Sequence, residues 1–150
     1  MIRFFVQGIP KTMSVGKTFA FRRGEGPVQH VQSRRNTEWG VVVGQIGRDH
    51  APARPLDGPV SLTAIFYMPR PKSAAKKVVV PLTRPDVDNL LHKLSDQWNG
   101  VFWHDDSQIT DLVVRKRFAV DGRTGAEFIV APVTVLAAQE SLLREEVIAR

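Results

Sequence analysis

The sequence contains no cysteine, which removes disulfides, thiolate zinc centres and cysteine nucleophiles together and leaves oxygen and imidazole as the available metal ligands. Long apolar runs are missing too. Phe4-Phe5-Val6, in the opening MIRFFVQGIP, is far too short for a signal-peptide core, and no later stretch has the roughly 20 apolar residues that a membrane span needs. The expected location is the cytoplasm, with no membrane partner. Internal repeats and low-complexity segments are also lacking, and no shift in composition divides the chain. At 150 residues, 43% apolar and 24% charged, it has the makeup of one soluble domain with its own core, so disordered and fibrous classes are excluded.

Acidic residues are scarce as well: 15 Asp and Glu stand against 21 Lys and Arg, a formal net charge of +6. Such a balance suits a polyanion, nucleic acid first. Between Lys11 and Asn36 there is a single acid, Glu25, and the stretch PRPKSAAKKVVVPLTRP has none. Both read as basic loops. Lys11, Lys17, Arg22, Arg23, Lys72, Lys76, Lys77 and Arg84 are the candidate DNA contacts they supply. The very next stretch, RPDVDNLLHKLSDQWNGVFWHDDSQITD, reverses the sign with Asp86, Asp88, Asp96, Asp105, Asp106 and Asp111. Those carboxylates repel one another unless a metal ion or basic side chains sit among them.

Ile2, Phe4 and Val6 alternate with polar residues as a half-buried strand does, and Gly8 with Pro10 ends it. Trp39, Val42, Val43 and Ile46 have helical spacing, although Gly40, Gly44 and Gly47 each cost about 1 kcal/mol relative to alanine inside a helix. After the turn-rich APARPLDGP, the alternation of Val60, Leu62, Ala64 and Phe66 predicts a strand from Val60 to Met68. Leu112 to Ala119 and Glu127 to Val135 predict two more around a turn at Asp121 to Gly125. Leu136 to Ala149 has a helical pattern.

Placed at 3.6 residues per turn, Val87 to Trp98 gathers Val87, Leu90, Leu91, Leu94 and Trp98 into one stripe, with Asp88, His92 and Asp96 in a staircase beside it. Pro85 fits the first turn of that helix, and Asp86 or Asp88 can cap its free amides. Capping accounts for one aspartate. An Asp-x-Asp pair and a second Asp-Asp pair less than twenty residues later exceed what caps require. Asp86 and Asp88 can share an ion if the helix begins near Asp88, and Asn99-Gly100 is a turn that can return His104-Asp105-Asp106 to the helix start. Whichever of Asp105 and Asp106 points inward completes a three-carboxylate site. Hard oxygen ligands with open positions suit magnesium or manganese, which serve phosphodiester hydrolysis.

RPDVDNL followed by NGVFWHDDSQITDLVVRK resembles the RusA family of Holliday junction endonucleases. That family carries Asp-x-Asp-Asn-Leu opening a helix, then a glycine-containing turn and an Asp-Asp-x-Gln element running into a strand. The resemblance is strong from Arg84 to Lys116 and extends in outline to the opening strand and the basic segments. It implies a single α+β domain over 1–150, a mixed sheet of about four strands with packed helices, and 136–150 as a C-terminal helical extension. The same resemblance implies a homodimer that requires magnesium and nicks paired strands of four-way DNA in recombination and repair, and the hard oxygen ligands admit manganese as a substitute. Asp86, Asp88 and Asp106 take the metal-binding catalytic positions, with Asp105 and Asn89 as their supports. One position departs from the pattern. The family's lysine four residues after the second aspartate is His92 here, and Lys93, one residue on, is turned by about 100° on a helix. Lys116 matches a basic position of the following strand, so Lys93 and Lys116 join the candidate DNA contacts and His92 joins the candidate catalytic residues.

Other readings stay open. Val15-Gly16-Lys17-Thr18 resembles the end of a phosphate-binding loop but has Lys11 where that motif needs glycine, so nucleotide hydrolysis is rejected. His30 and His50 read as surface residues, whereas His92 and His104 allow a mixed His/Asp zinc site. Trp98, Phe102 and Trp103 are candidates for base stacking or for the core. A non-catalytic DNA-binding module, and a nuclease of other branched DNA, are the alternative functions.

Overall fold

The N-terminal alternation forms the strand it predicts: β1, Ile2–Gln7, buries Phe4 and Val6 and turns Arg3 and Gln7 outward. The computed structural model describes residues 1–12, 34–75, 77–92 and 94–134, with the backbone alone for 34–37. The remaining elements are α1 (Arg34–Asp49), β2 (Val60–Met68), α2 (Val87–Leu91), β3 (Ile109–Phe118) and β4 (Gly125–Pro132), with 3-10 turns at Asp96–Trp98 and Asp106–Gln108. The result is an α+β domain on one mixed sheet. The predicted helix at 136–150 lies outside the described residues, as does most of the basic stretch after Thr12. Arg34 and Arg35 belong to α1 rather than to that loop.

The sheet order is β1-β4-β2-β3, antiparallel except for the parallel pair β2 and β3. β3 and β4, adjacent in sequence, are therefore not a hairpin. β4 alternates buried Ala126, Phe128 and Val130 and takes a central place paired on both sides, while β3, with Asp111, Arg115 and Arg117 exposed, takes the edge. A parallel pair needs a long crossover. Residues 69–108 provide it, and they contain the Asp-x-Asp and Asp-Asp-x-Gln elements.

The predicted helix from Val87 to Trp98 is broken. α2 ends at Leu91, where His92 takes ψ 130°, and the chain resumes as a 3-10 turn at Asp96. Leu90, Leu94 and Trp98 nevertheless reach the core, while Val87 is exposed. The Trp98 ring meets Phe4, Phe102 and Phe128 edge-on at 5.6, 5.2 and 5.0 Å, and the weak helix formers Ser95 and Asp96 lie where the helix has given way to the 3-10 turn. Phe102 and Trp103 are likewise fully buried, so the aromatic trio is core.

The glycines of α1 face inward. Trp39 and Val43 are buried beside them, whereas Val42, placed on the apolar face by spacing, is exposed. A methyl group on Gly47 would stand 2.3 Å from the Trp98 indole nitrogen and 2.7 Å from Cε2, so only glycine lets α1 seat on that ring. Gly47→Ala gains about 1 kcal/mol of helix propensity but overpacks the contact by roughly 1–3 kcal/mol. A lower Tm is expected in thermal melts; a raised Tm would mean that α1 does not rest on Trp98.

Candidate active site in the crossover

α2 opens directly after Pro85, with Asp86 at the N-cap in extended conformation (φ −72°, ψ 153°). Its carbonyl accepts from the Leu90 amide at 3.1 Å, but its side chain makes no capping bond. The carboxylate is left exposed. Asp88 is also exposed, one residue inside the helix, and its carbonyl accepts the last helical bond, from the His92 amide at 2.9 Å.

The return of the chain is built by Asn99 and Gly100. Gly100 has φ 73°, a left-handed value that glycine adopts without strain, and its amide donates to the Trp103 carbonyl at 2.7 Å. The Trp103 indole N–H donates to Asn99 Oδ1 at 2.8 Å. With Phe102 and Trp103 buried, the following residues start from a fixed point. Asp105 then caps the second 3-10 turn, its carboxylate accepting from the Ser107 amide at 3.0 Å. The hydrogen bonds from Ser107 hold the Asp105 carboxyl below the ordinary carboxylate range.

Gln108 fastens this turn to the body of the protein. Its Oε1 accepts from the amides of His104 (2.7 Å) and Asp105 (3.2 Å), and its Nε2 donates to the carbonyls of Leu56 (3.0 Å) and Gly58 (2.7 Å). All four hydrogen-bonding places of the amide are used. The Ser/Thr/Asp-x-x-Gln spacing of a capping box was present in Asp105 to Gln108 and marks the residue from sequence alone.

Capping turns Asp105 away and leaves Asp106, half-buried, on the inner side. Val87, Asp88, Leu91, His92, Ser95, Asp96, Asp106, Leu112 and Val114 line one open pocket of about 470 Å³. Asp88 and Asp106, eighteen positions apart, thus share a cavity with His92 and with Asp96, which the sequence reading left out of the site. Asp86, Asp105 and Asn89 are not among the lining residues. Among the described residues no group of three or more His, Asp or Glu is arranged to hold a metal ion. Two carboxylates beside an open volume still fit magnesium, which usually takes one or two protein carboxylates and fills its other positions with water and substrate phosphate.

The remaining predicted residues are spread. Lys72, Lys77 and Arg84 are exposed, Lys11 is half-buried, and Lys17, Arg22, Arg23, Lys76 and Lys93 lie outside the described residues. Lys116 donates to the carbonyls of Thr83 and Pro85. His104 pairs with Asp57 at 3.0 Å and does not line the pocket, so the structure does not bring it to His92 as the zinc reading requires. His50 closes α1, its Nδ1 2.8 Å from the Ile46 carbonyl and its ring stacked on Phe4; His30 lies outside the described residues. Arg70 organises the second basic loop through the carbonyls of Val78 and Ala75.

A mixed sheet whose parallel crossover sets carboxylates around an open pocket makes this a small α+β domain with a candidate site on one face of the crossover. The family model for endodeoxyribonuclease RusA matches residues 14–127, well over half of the chain, and the protein belongs to that family of Holliday junction endonucleases. It is also similar to the uncharacterized protein YqaN of Bacillus subtilis (strain 168), with 35% identity over 132 residues covering 81% of this chain and 91% of the relative. No helix among the described residues is long and apolar enough to cross a membrane.

Proposed function

We propose that the protein is a magnesium-dependent homodimeric endonuclease of the cytoplasm that resolves four-way DNA junctions by paired nicks in recombination and repair. The observation that carries this reading is the meeting of Asp88, from the middle of the crossover, with Asp106, from its end, in one open pocket. In this reading Asp88 and Asp106 hold the ion, and Asp86, which does not line the pocket but is exposed and unused as a cap, joins them as the third carboxylate only when metal and DNA bind. Magnesium held there, or manganese in its place, would supply an activated water and charge stabilisation at the phosphoryl group. Exposed Lys72, Lys77 and Arg84 grip phosphates around the site. A junction has two-fold strand polarity, so paired nicks call for two pockets related by a two-fold axis, and sedimentation of the protein as a dimer is expected.

The direct test incubates a labelled four-way junction and a linear duplex with the protein, each with magnesium or with chelator. Symmetric nicks in the junction alone, and with metal alone, are expected. Binding without cleavage would favour the DNA-binding module, and equal cutting of flaps would favour a broader branched-DNA nuclease. His92, in the pocket, takes the place of the family's lysine and faces the phosphate in this reading. His92→Lys is expected to keep or raise the cleavage rate with the metal requirement unchanged, and His92→Ala to lower it. Parental rates in His92→Ala would remove His92 from the mechanism.

A further inference from the structure

We infer that Lys116 is a positioning residue, whose ammonium holds the backbone that presents Asp86 and Asp88 instead of gripping DNA. It donates to the carbonyls of Thr83 at 2.8 Å and Pro85 at 2.9 Å, the residues that lead into the N-cap of α2. The inference rests on the reading of Asp86 and Asp88 as functional carboxylates. That stretch needs holding. Leu82, Thr83 and Arg84 are all exposed, and α2 has only five residues, too few for a helix to sustain itself without tertiary support. Leu90 anchors the helix body in the core, but it lies beyond both aspartates.

β3 is what makes the arrangement informative. Lys116 projects on the same side of the strand as Leu112 and Val114, which line the pocket. The strand also begins immediately after the turn that carries Asp106. One rigid element therefore carries Asp106 at its start and clasps the Asp86 segment further along, fixing the separation between the two sources of carboxylate. A phosphate contact makes different demands. It needs an ammonium open to solvent, whereas Lys116 is half-buried and two of its three N–H groups are already used.

The experiment compares Lys116→Met and Lys116→Arg with the parent in three measurements. In hydrogen exchange without metal or DNA, the amides of Leu90 and His92, bonded to the carbonyls of Asp86 and Asp88, should exchange faster in Lys116→Met while β2 and β4 amides keep their protection. Junction binding in chelator should keep its affinity and salt dependence, because losing a phosphate contact would instead weaken binding and reduce the salt slope by about one. Cleavage at saturating junction should fall about a hundredfold, the order expected from misplacing reacting groups by an ångström, and Lys116→Arg should recover part of it by donating to the same carbonyls. If Lys116→Met does not fold, Lys116→Gln, which keeps an N–H donor on a shorter stem, is judged by the same criteria. Unchanged exchange at Leu90 and His92, or weaker binding with a shallower salt slope, overturns the assignment. Should the parent itself leave junctions uncut, the functional reading fails, and the exchange measurement still decides the role of Lys116.

Discussion

Asp88→Asn and Asp106→Asn, made singly, are each expected to lower junction cleavage on the order of 10³-fold while leaving junction binding unchanged or tighter. Asparagine keeps the shape of the side chain and removes its charge, so the pocket these two residues share loses a hard anionic ligand and little else. Binding is spared because the lost charge repelled phosphates. Asp105→Asn should behave differently. The Asp105 oxygen accepts from the Ser107 amide, a bond that asparagine also accepts, so this variant should cut faster than Asp106→Asn. Cleavage assays on the three variants at one metal concentration decide the matter. Full activity in Asp106→Asn, or the opposite ranking of the neighbours, would show that the pocket is not the reaction centre.

Gln108→Ala is expected to lower both stability and cleavage. It deletes four hydrogen bonds at once, leaving the amides of His104 and Asp105 and the carbonyls of Leu56 and Gly58 without their partner. Water reaches part of this region, so a loss of about 1–3 kcal/mol is expected in denaturant titration rather than the sum of four buried bonds. Asp106 sits between the clasped residues. Its turn loosens with them, and a cleavage loss of about 10- to 100-fold follows from poorer placement. Gln108→Glu should be no better, since a carboxylate has no N–H to offer Leu56 and Gly58. Parental stability together with parental cleavage in Gln108→Ala would rule out the clasp.

Local alternation carried β1 and β2, because one buried face and one open face leave a period of two in the residues themselves. The glycines of α1 were misleading in the same local view. Their cost to an isolated helix is visible in sequence, but the ring of Trp98 against Gly47 is a relation between distant segments. The break at His92 was hidden for a similar reason, since Trp98 sits at a correct helical interval from Leu94 whether or not the helix continues. For the site, the motif spacing located Asp88 and Asp106, and the capping pattern separates Asp105 from its neighbour. The grip of Lys116 on Thr83 and Pro85 had no local signature. It joins an edge strand to a loop more than thirty residues earlier, and only the tertiary arrangement reveals it.

Among the described residues β1 pairs with β4 alone, and this also sets an order of events during synthesis. Ile2 lies opposite Val130, so the first strand made has no partner in the sheet until the last strand of that sheet has been translated. At about 5–20 residues per second the wait is on the order of ten seconds. In that interval the apolar residues Phe4 and Val6 are unsheltered by β4. The sheet behind the pocket is therefore complete only when β4 has joined both β1 and β2.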